Sequence, residues 1–578
     1  MSATSGSAAY DLVIRGGAVH DGTGAQPFEA DVAVKAGKIA AVGKLAGSGA
    51  EEIDARGRIV TPGFIDMHTH YDGQATWEGR MQPSSWHGVT TVIGGNCGIG
   101  FAPCRPEQRE LLVKLMEGIE DIPEAVMTEG LPWKWESFPQ YLDFLDQRRF
   151  DIDVGLQIPH SPIRVYVMGQ RGADREPATP DDIARMSDLV EEGVRAGAFG
   201  VTTSRFIMHR TRAGDIAPSV DSAEAELLGL AAGLKRADAG VFQIIPAIPE
   251  PPDGEYEVMR RVAEASGRPL SFTLMAFHSP RDGWRRYLEH LENDQPAGSQ
   301  IRGQVYPRPA GVLFGLDLSF HPFCLNPSYR PLAKLPLAER VKAMRDPVLK
   351  AKILSEKPED PNPFALNQVR LEKDYYLFGD PPQYEPGRES ELGRVAESKG
   401  ISKAELLYDM LLTDEGRAIL YCPSANFPDN SLDAAGELMR HPNTVIGLGD
   451  GGAHYGMICD ASYPTFLLTH WSRDAGPGRK IELPAAIKAL TSEPAAAIGL
   501  SDRGTIAVGQ KADLNVIDVD RLKLHRPAPV YDLPAHGRRL RQKAQGYAAS
   551  VVNGAVTYRD GEATGAMPGR LVRRGRVN

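Results

Sequence analysis

Between residues 61 and 500, short apolar runs typical of β-strands alternate with longer stretches of helical periodicity. This alternation predicts repeated βα units, in which helices cover a parallel sheet. One helix is predicted at Pro180–Ala196, because Thr179 can cap its first turn and acidic residues follow directly. The strands are predicted at residues 63–68, 89–94, 154–159, 199–203, 241–246, 270–277, 301–306 and 444–448.

Eight such units predict an α/β fold with a closed (β/α)₈ barrel of the TIM type, whose active site lies at the carboxyl ends of the strands. The barrel is expected to occupy residues 61–500. Residues 1–60 and 501–578 contain short strands separated by glycine turns, and we expect the two chain ends to pair into one small β-sandwich domain. Two insertions, at about 103–149 and 309–416, exceed ordinary loop lengths and are expected to cover the barrel mouth.

The first predicted strand ends in His68 and His70, which are separated by one residue. In an extended strand, side chains two positions apart point to the same side. Both imidazoles are therefore expected to enter one small volume, as two ligands of a metal ion do. Cys97 and Asp450 follow the second and the last strand, so they are expected at the same edge of the sheet. The alternatives are a pair of hydrogen-bonded core histidines, a buried thiol and a turn acid.

The chain has 578 residues, of which 42% are hydrophobic and 24% are charged, and its formal net charge is −10. An acidic chain argues against nucleic acid and anionic membrane as partners, because both need a basic surface. The opening residues lack a leader pattern, and no long apolar run follows. Five cysteines are scattered without paired spacing, as in reducing compartments. We expect a cytoplasmic protein with a small-molecule substrate, and a homo-oligomer is compatible with these features.

Motifs from both ends and from the middle of the chain resemble the amidohydrolase superfamily. They are residues 37–43, 62–70, 491–495 and 504–514. Within the superfamily, the resemblance is strongest to the N-acyl-D-amino-acid deacylases, and it lies at the second, third and fourth strands. The segments concerned are residues 88–98, 160–164 and 197–204. The resemblance implies a metal-dependent amidohydrolase that acts on a non-peptide C–N bond.

The resemblance also implies how the metal is held. It carries over His68, His70 and Asp450, together with Cys97 as a thiolate, as the ligands of a divalent cation. Zinc is the expected ion, because imidazole, thiolate and carboxylate donors suit a four-coordinate zinc site.

The chain departs from the deacylase pattern at strands five and six. The deacylases place a histidine at the end of each of these strands, where this chain has Ile245 and Leu274. An aliphatic side chain cannot bind a metal, so one ion is expected rather than two. Gln243 and His278 are candidate replacements.

The expected reaction is the deacylation of an N-acyl amino acid, a linear amide. A divalent ion lowers the pKa of water toward neutrality and polarises a carbonyl oxygen. Asp450 is expected to take a proton from this activated water and to pass it to the departing nitrogen, because an amide nitrogen leaves poorly unless it is protonated. A cyclic amide, another C–N bond or an ester is an alternative substrate, since a fold does not fix the substrate. The alternative outside enzymes is a non-catalytic scaffold that has lost metal ligands.

Further side chains beyond the strand ends are predicted to contact the substrate. They are His160, Ser204, Arg205, His209 and His454. An arginine fork at Arg205 can hold a carboxylate by two parallel hydrogen bonds, and a structural ion pair is the alternative. For the histidines, the alternative is a structural or loop-capping role. Four tryptophans above the mouth are predicted to form an acyl pocket or to pack the first insertion. They are Trp77, Trp86, Trp133 and Trp135.

Overall fold

The structure is a computed structural model of the chain and describes residues 8–248, 250–277 and 282–575. Within this part, every predicted strand of the middle region is present, and neighbouring strands are parallel. We number them strands one to eight. They are Phe64–Asp66, Val89–Gly94, Asp153–Leu156 with its continuation Ile158–Pro159, Gly200–Ser204, Val241–Ile245, Leu270–Thr273, Ile301–Val305 and Thr444–Ile446. The predicted α/β fold is confirmed.

The eight strands form two parallel sheets that meet at their carboxyl ends. Strands one and two and the first part of strand three form one sheet, and the continuation of strand three and strands four to eight form the other. Beyond the strand ends, the backbone N–H of Asp450 donates to the carbonyl of His68 at 3.1 Å, and that of His70 donates to Gly451 at 2.7 Å. These two bonds join the segment that follows strand eight to the segment that follows strand one.

Helices alternate with the strands and bury one face against them. The predicted helix Pro180–Ala196 is confirmed, and its Thr179 side chain accepts a hydrogen bond from the Asp182 backbone, as an N-cap does. Its buried residues include Met186 and Val190, which are one helical turn apart. The longer helices of the middle region are Arg109–Glu120, Glu124–Gly130, Phe138–Asp146, His160–Met168, Pro180–Ala196, Glu224–Ala237, Pro252–Ser266, Gly283–Asn293, Leu337–Met344, Pro347–Ser355, Leu392–Lys399, Lys403–Leu411, Asp433–Arg440, Leu483–Leu490 and Ser492–Ile498.

Strand six is shorter than predicted, and the reason is a side chain that follows the second insertion. The Leu274 backbone N–H still donates to the neighbouring strand at Gln304, 2.9 Å away. The Ala276 N–H instead donates to the side chain of Asn426, at 2.8 Å. Asn426 directly follows the strand Leu420–Ala425, which comes just after the second insertion. The chain therefore leaves the parallel sheet because the Asn426 side chain takes over its backbone bonding.

The second insertion and the strand that follows it form a small sheet with its own hydrophobic core. Ala310–Phe314 and Tyr376–Leu377 pair antiparallel on either side of Leu420–Ala425. Phe314 and Leu407 belong to the core that packs beneath this sheet. The first insertion consists of the helices Arg109–Glu120, Glu124–Gly130 and Phe138–Asp146.

The two chain ends pair into one nine-stranded sheet. Ile59–Pro62 pairs antiparallel with Leu514–Ile517, which joins the beginning of the chain to its end. The strand order is Glu562–Ala563, Ala555–Arg559, Tyr547–Val552, Leu514–Ile517, Ile59–Pro62, Tyr10–Val19, Phe28–Lys35 and Lys38–Gly43, with Gly49–Asp54 beside Tyr10–Val19. Two short pairs lie nearby, Lys523–Leu524 with Ala544–Gln545 and Ala528–Leu533 with Gly537–Arg541. In the described part of the chain, none of the helices combines the length and the hydropathy that a membrane span needs.

Candidate metal centre and substrate cavity

The structure brings His68, His70 and Cys97 together at the carboxyl ends of strands one and two. One donor atom from each residue lies within 4.8 Å of the others. The Cys97 Sγ is 3.3 Å from His68 Nε2 and 3.6 Å from His70 Nε2. Asp450 joins this cluster from strand eight, since its Oδ1 lies 3.5 Å from His68 Nε2 and 3.6 Å from His70 Nε2. Two imidazoles, a thiol and a carboxylate therefore face one another.

Two of these side chains are presented by unusual backbone conformations. Cys97 has a φ of 57° and Asp450 a φ of 47°, both in the left-handed region that costs free energy for a residue with a Cβ. Gly452, with a φ of 87°, lies so close to His70 that a Cβ there would be 2.8 Å from the His70 carbonyl carbon. The surrounding structure must hold these turns in place, as is common at functional sites.

The cluster is buried, and burial controls its protonation. Burial lowers the pKa of His68 to about 4, so its Nε2 lone pair is free at neutral pH. Burial raises the pKa of the Cys97 thiol to about 12, while His70 acts in the opposite direction. Burial alone would raise the pKa of Asp450, but the hydrogen bond from His70 and the charges of both histidines keep that pKa low. This donor set fits a zinc ion, whose charge would also stabilise the thiolate.

Gln304 of strand seven holds the His68 ring in place. The His68 Nδ1–H donates to Gln304 Oε1 at 2.8 Å, and Gln304 Nε2 donates to Ser271 Oγ at 2.9 Å. This bond places the proton on Nδ1 and leaves Nε2 facing Cys97 and Asp450. Gln304 was not predicted as a site residue, and its polar character inside a buried strand was the available signal.

Glu120 links the first insertion to the cluster of side chains formed by His68, His70, Cys97 and Asp450. It is the last residue of the helix Arg109–Glu120, and its side chain is 1% exposed. Its Oε1 lies 3.6 Å from His70 Nδ1, and its Oε2 lies 3.3 Å from His454 Nε2. The His454 backbone N–H also donates to the Glu120 carbonyl. The sequence gives no sign of this role, because an acid on an amphipathic helix is usually exposed.

Two of the predicted substrate contacts, His160 and Arg205, are engaged with other protein side chains. The two ring nitrogens of His160 contact Thr203 Oγ1 and Glu226 Oε1, each at 2.8 Å, and the ring is fully buried. The guanidinium of Arg205 binds Glu255 through two parallel bonds of 3.0 Å. Glu226 and Glu255 lie on the helices outside the sheet, so these contacts favour the structural alternative for both His160 and Arg205.

Ser204 ends strand four and His209 follows it, and the two side chains differ in their surroundings. The Ser204 Oγ is buried and accepts a hydrogen bond from the Phe206 backbone at 3.2 Å, so it has a local structural partner. Burial lowers the pKa of His209 to about 3, and the charges of His454 and of the cluster also act on it. Among the described residues, its Nδ1 has no hydrogen-bond partner. His209 is therefore a neutral imidazole near the side chains of this cluster.

The positions that lack histidine are filled by apolar side chains. Ile245 and Leu274 are 7% and 2% exposed. Gln243 is fully buried on strand five, and neither atom of its amide group bonds to a described residue. His278, the other candidate replacement, lies outside the described residues.

A cavity of about 680 Å³ opens beside the cluster. Asp450 and His454 line it, and much of its wall is apolar. The apolar side chains include Phe206, Met208, Met275, Phe277, Val312 and Met457. The four tryptophans are not among its described lining residues. Trp135, for example, packs against Tyr141 and Phe144 within the first insertion, so packing is the better interpretation there.

The chain is similar to known proteins over nearly its whole length. It is 28% identical to a D-aminoacylase of Alcaligenes xylosoxydans xylosoxydans, and the alignment covers 99% of each chain. It is 26% identical to an N-acyl-D-aspartate deacylase of the same organism, with 97% of this chain and 95% of that one covered.

Solved structures share the fold at lower identity. A D-aminoacylase with a binuclear metal centre matches with a TM-score of 0.64 at 24% identity, covering 98% of this chain and all of that one. An N-acyl-D-glutamate deacylase from Bordetella bronchiseptica, complexed with zinc and a phosphonate inhibitor, matches with a TM-score of 0.63 at 22% identity, covering 98% and 99%.

A family model also matches the chain, and the length of this match identifies the family. The model described as amidohydrolase family matches residues 51–558, which is most of the chain. The matched region contains all eight parallel strands and the four side chains of the cluster. With a match of this length over the region that carries the site, the chain belongs to the amidohydrolase family.

Proposed function

We propose that the protein is a metal-dependent deacylase of N-acyl amino acids. The observation that carries this proposal is the convergence of His68, His70, Cys97 and Asp450 beside the cavity. Relatives that align over nearly the whole chain are a D-aminoacylase and an N-acyl-D-aspartate deacylase. A linear amide of an amino acid is therefore the favoured substrate.

His68, His70, Cys97 and Asp450 would hold one divalent ion, with zinc as the expected metal. Such an ion, when bound, lowers the pKa of water and polarises a carbonyl oxygen. Ile245 and Leu274 offer no donor atoms where a second ion would need them. His68 and His70 are each 1% exposed, which restricts the access of bulk water to them.

Asp450 is the residue proposed to move the proton. Its low pKa keeps the carboxylate ionised at neutral pH, so it can accept a proton from the attacking water. Its side chain is 23% exposed and lines the cavity, within reach of a substrate. Asp450 then returns the proton to the departing nitrogen, which otherwise leaves poorly. Gln304 and Glu120 orient the two histidines during this exchange.

The architecture proposed around this site is a closed (β/α)₈ barrel over residues 61–500. The backbone bonds between the segments after strands one and eight support closure. Residues 1–60 and 501–578 are proposed to form the β-sandwich domain, supported by their shared nine-stranded sheet. The segments 103–149 and 309–416 are the proposed insertions over the mouth.

The proposal is tested by metal analysis and by a substrate panel. Purified protein is expected to contain about one equivalent of zinc and to hydrolyse N-acyl-D- or N-acyl-L-amino acids in preference to cyclic imides. His68→Ala is expected to lose the metal. Asp450→Asn is expected to keep most of it and to lose turnover by about 10²- to 10⁴-fold. A metal-free protein that zinc does not activate would instead be a scaffold.

A further inference from the structure

An N-acyl amino acid carries a carboxylate, and a cavity that recognises it needs a cationic group. Arg205, which was predicted to provide this group, is paired with Glu255. Among the described residues that line the cavity, Lys373 is the one lysine, and none of them is an arginine. It belongs to the second insertion and lies between the helix Pro363–Gln368 and the strand Tyr376–Leu377.

The ammonium group of Lys373 has no acidic partner within the described part of the chain. Its hydrogen bond runs to the neutral amide of Gln368, where Oε1 is 3.3 Å away. Burial lowers its pKa, which shows that the cavity wall removes much of the solvent around it. Its chain neighbours Glu372 and Asp374 line the same cavity but form no ion pair with it.

Two other lysines of the same insertion are paired with acidic side chains. Lys403 lies 2.8 Å from Glu391, and Lys350 lies 2.6 Å from Asp409. Lys403 also donates to the backbone carbonyl of Lys373 at 2.6 Å, which fixes the base of the unpaired side chain. A half-buried cation without an anion is unfavourable, and an anionic ligand removes that cost.

We propose that Lys373 binds the carboxylate of the substrate and so selects acids over their uncharged analogues. The proposal rests on the proposed deacylase function for the identity of the ligand. The contact joins the two halves of the site, because Asp450 lines the cavity from strand eight and Lys373 lines it from the insertion. A charge-assisted hydrogen bond in such a partly apolar cavity is stronger than a neutral one.

Calorimetric titration with two matched ligands tests this contact. The probes are N-acetyl-D-leucine and N-acetyl-L-leucine, each compared with its primary amide, which has no carboxylate. The variants are Lys373→Met, which removes the charge at similar length, and Lys373→Arg, which keeps it. Lys350→Met is the control, because it removes a lysine that is already paired. All are made on the Asp450→Asn background, so that the ligand is not consumed.

We expect Lys373→Met to weaken binding of the acid by about 10- to 100-fold and to leave binding of the amide unchanged. Lys373→Arg and Lys350→Met should bind the acid within a few-fold of the parent. Equal effects on acid and amide, or no effect on either, would overturn the role of Lys373. Hydrolysis by the protein with native Asp450 is measured separately. Turnover without acid selectivity refutes only the Lys373 contact, whereas acid-selective binding without turnover of any N-acyl amino acid refutes only the deacylase function.

Discussion

At the residue scale, the two histidines that follow strand one, His68 and His70, contact different partners. Gln304 accepts from His68 Nδ1 at 2.8 Å, while Glu120 lies 3.6 Å from His70 Nδ1. The first partner is a neutral amide on strand seven, and the second is a carboxylate on the first insertion. A ligand that donates its second ring nitrogen to such a partner is fixed in tautomer and orientation.

Replacement of Gln304 should therefore weaken metal binding. Gln304→Met removes the acceptor at similar volume, and we expect the dissociation constant for zinc to rise by about 10- to 100-fold. Gln304→Glu keeps an acceptor oxygen and should restore much of the affinity. Competition with a chromophoric chelator measures both constants.

Gln243 provides the matched control for this substitution. It is also a fully buried amide, on strand five of the same sheet, but it bonds to no described residue. The four proposed ligands do not include Gln243, so Gln243→Met should leave the zinc affinity unchanged, and a loss of affinity would instead make Gln243 the replacement ligand. Equal affinity in the parent and in Gln304→Met would show that Gln304 does not position His68.

The sequence could predict His68, His70 and Asp450, because each directly follows a strand whose apolar pattern is visible. It could not predict Gln304 as their support, since 236 positions separate it from His68 and only the fold brings them together. For Arg205, the sequence predicted the position after strand four but not the partner of the side chain. Its guanidinium pairs with Glu255 of the helix Pro252–Ser266.

At the element scale, the turn after strand eight determines where Asp450 points. Asp450 has a φ of 47°, and Gly449 precedes it against the side chain of Asp66. A Cβ at Gly449 would overlap Asp66 Oδ2, and it would also lie 2.9 Å from a ring carbon of Tyr463. The turn can approach strand one only because this residue has no side chain.

Gly449→Ala should consequently displace Asp450 and reduce turnover by about 10²-fold or more, since a small misplacement of a reacting group is costly. Hydrolysis of the best N-acyl amino acid measures this effect, and thermal unfolding reports any loss of stability. Gly476→Ala is the control, because a Cβ at Gly476 meets no atom within 4 Å. Full activity of Gly449→Ala would mean that the turn tolerates a shift of Asp450.

The elements themselves were largely predictable, whereas their ends were not. The helix Pro180–Ala196 carries its own capping and periodicity signals, and its bounds match the prediction. Strand six ends at Thr273 because Asn426, far along the chain, bonds to the Ala276 backbone. Local sequence contains no information about such a partner.

At the scale of the whole molecule, a buried ion-pair network ties the parallel strands to the sheet of the chain ends. Asp153 of strand three lies 2.6 Å from Arg503 and also pairs with Lys511. Asp513 lies 3.6 Å from Arg503 and 3.4 Å from Lys511. Removing one partner from such a network leaves a buried charge uncompensated.

Asp153→Asn is therefore expected to lower the free energy of unfolding by about 3–5 kcal/mol. Chemical denaturation at pH 7 measures the change. Asp54→Asn breaks an exposed pair with Arg56 and should leave the free energy of unfolding almost unchanged. A similarly small loss of unfolding free energy in both variants would show that the network contributes little to holding the parallel strands against the sheet of the chain ends.

Acid stability should depend on buried histidines that do not belong to the cluster of His68, His70, Cys97 and Asp450. Burial lowers the pKa of His87 and of His321 to about 3 each, from an ordinary value of 6.5. Between these pH values the unfolded chain binds more protons than the folded one, so the free energy of unfolding falls as the pH falls below 6.5. Each histidine contributes a slope of up to about 1.4 kcal/mol per pH unit.

His87→Asn removes the contribution of His87 to this pH dependence, so a comparison of the variant with the parent measures that contribution. Its ring contacts Thr465 Oγ1 at 2.8 Å and the Gln542 carbonyl at 3.0 Å, so the variant should be less stable than the parent at pH 7. The gap between the two proteins should narrow between pH 6.5 and pH 4.5 by about 1.4 kcal/mol per pH unit, because only the parent must bury a neutral imidazole there. Denaturant unfolding at several pH values measures this difference, in which the other titrating groups cancel. A gap that stays constant with pH would mean that His87 is protonated in the folded protein despite its burial.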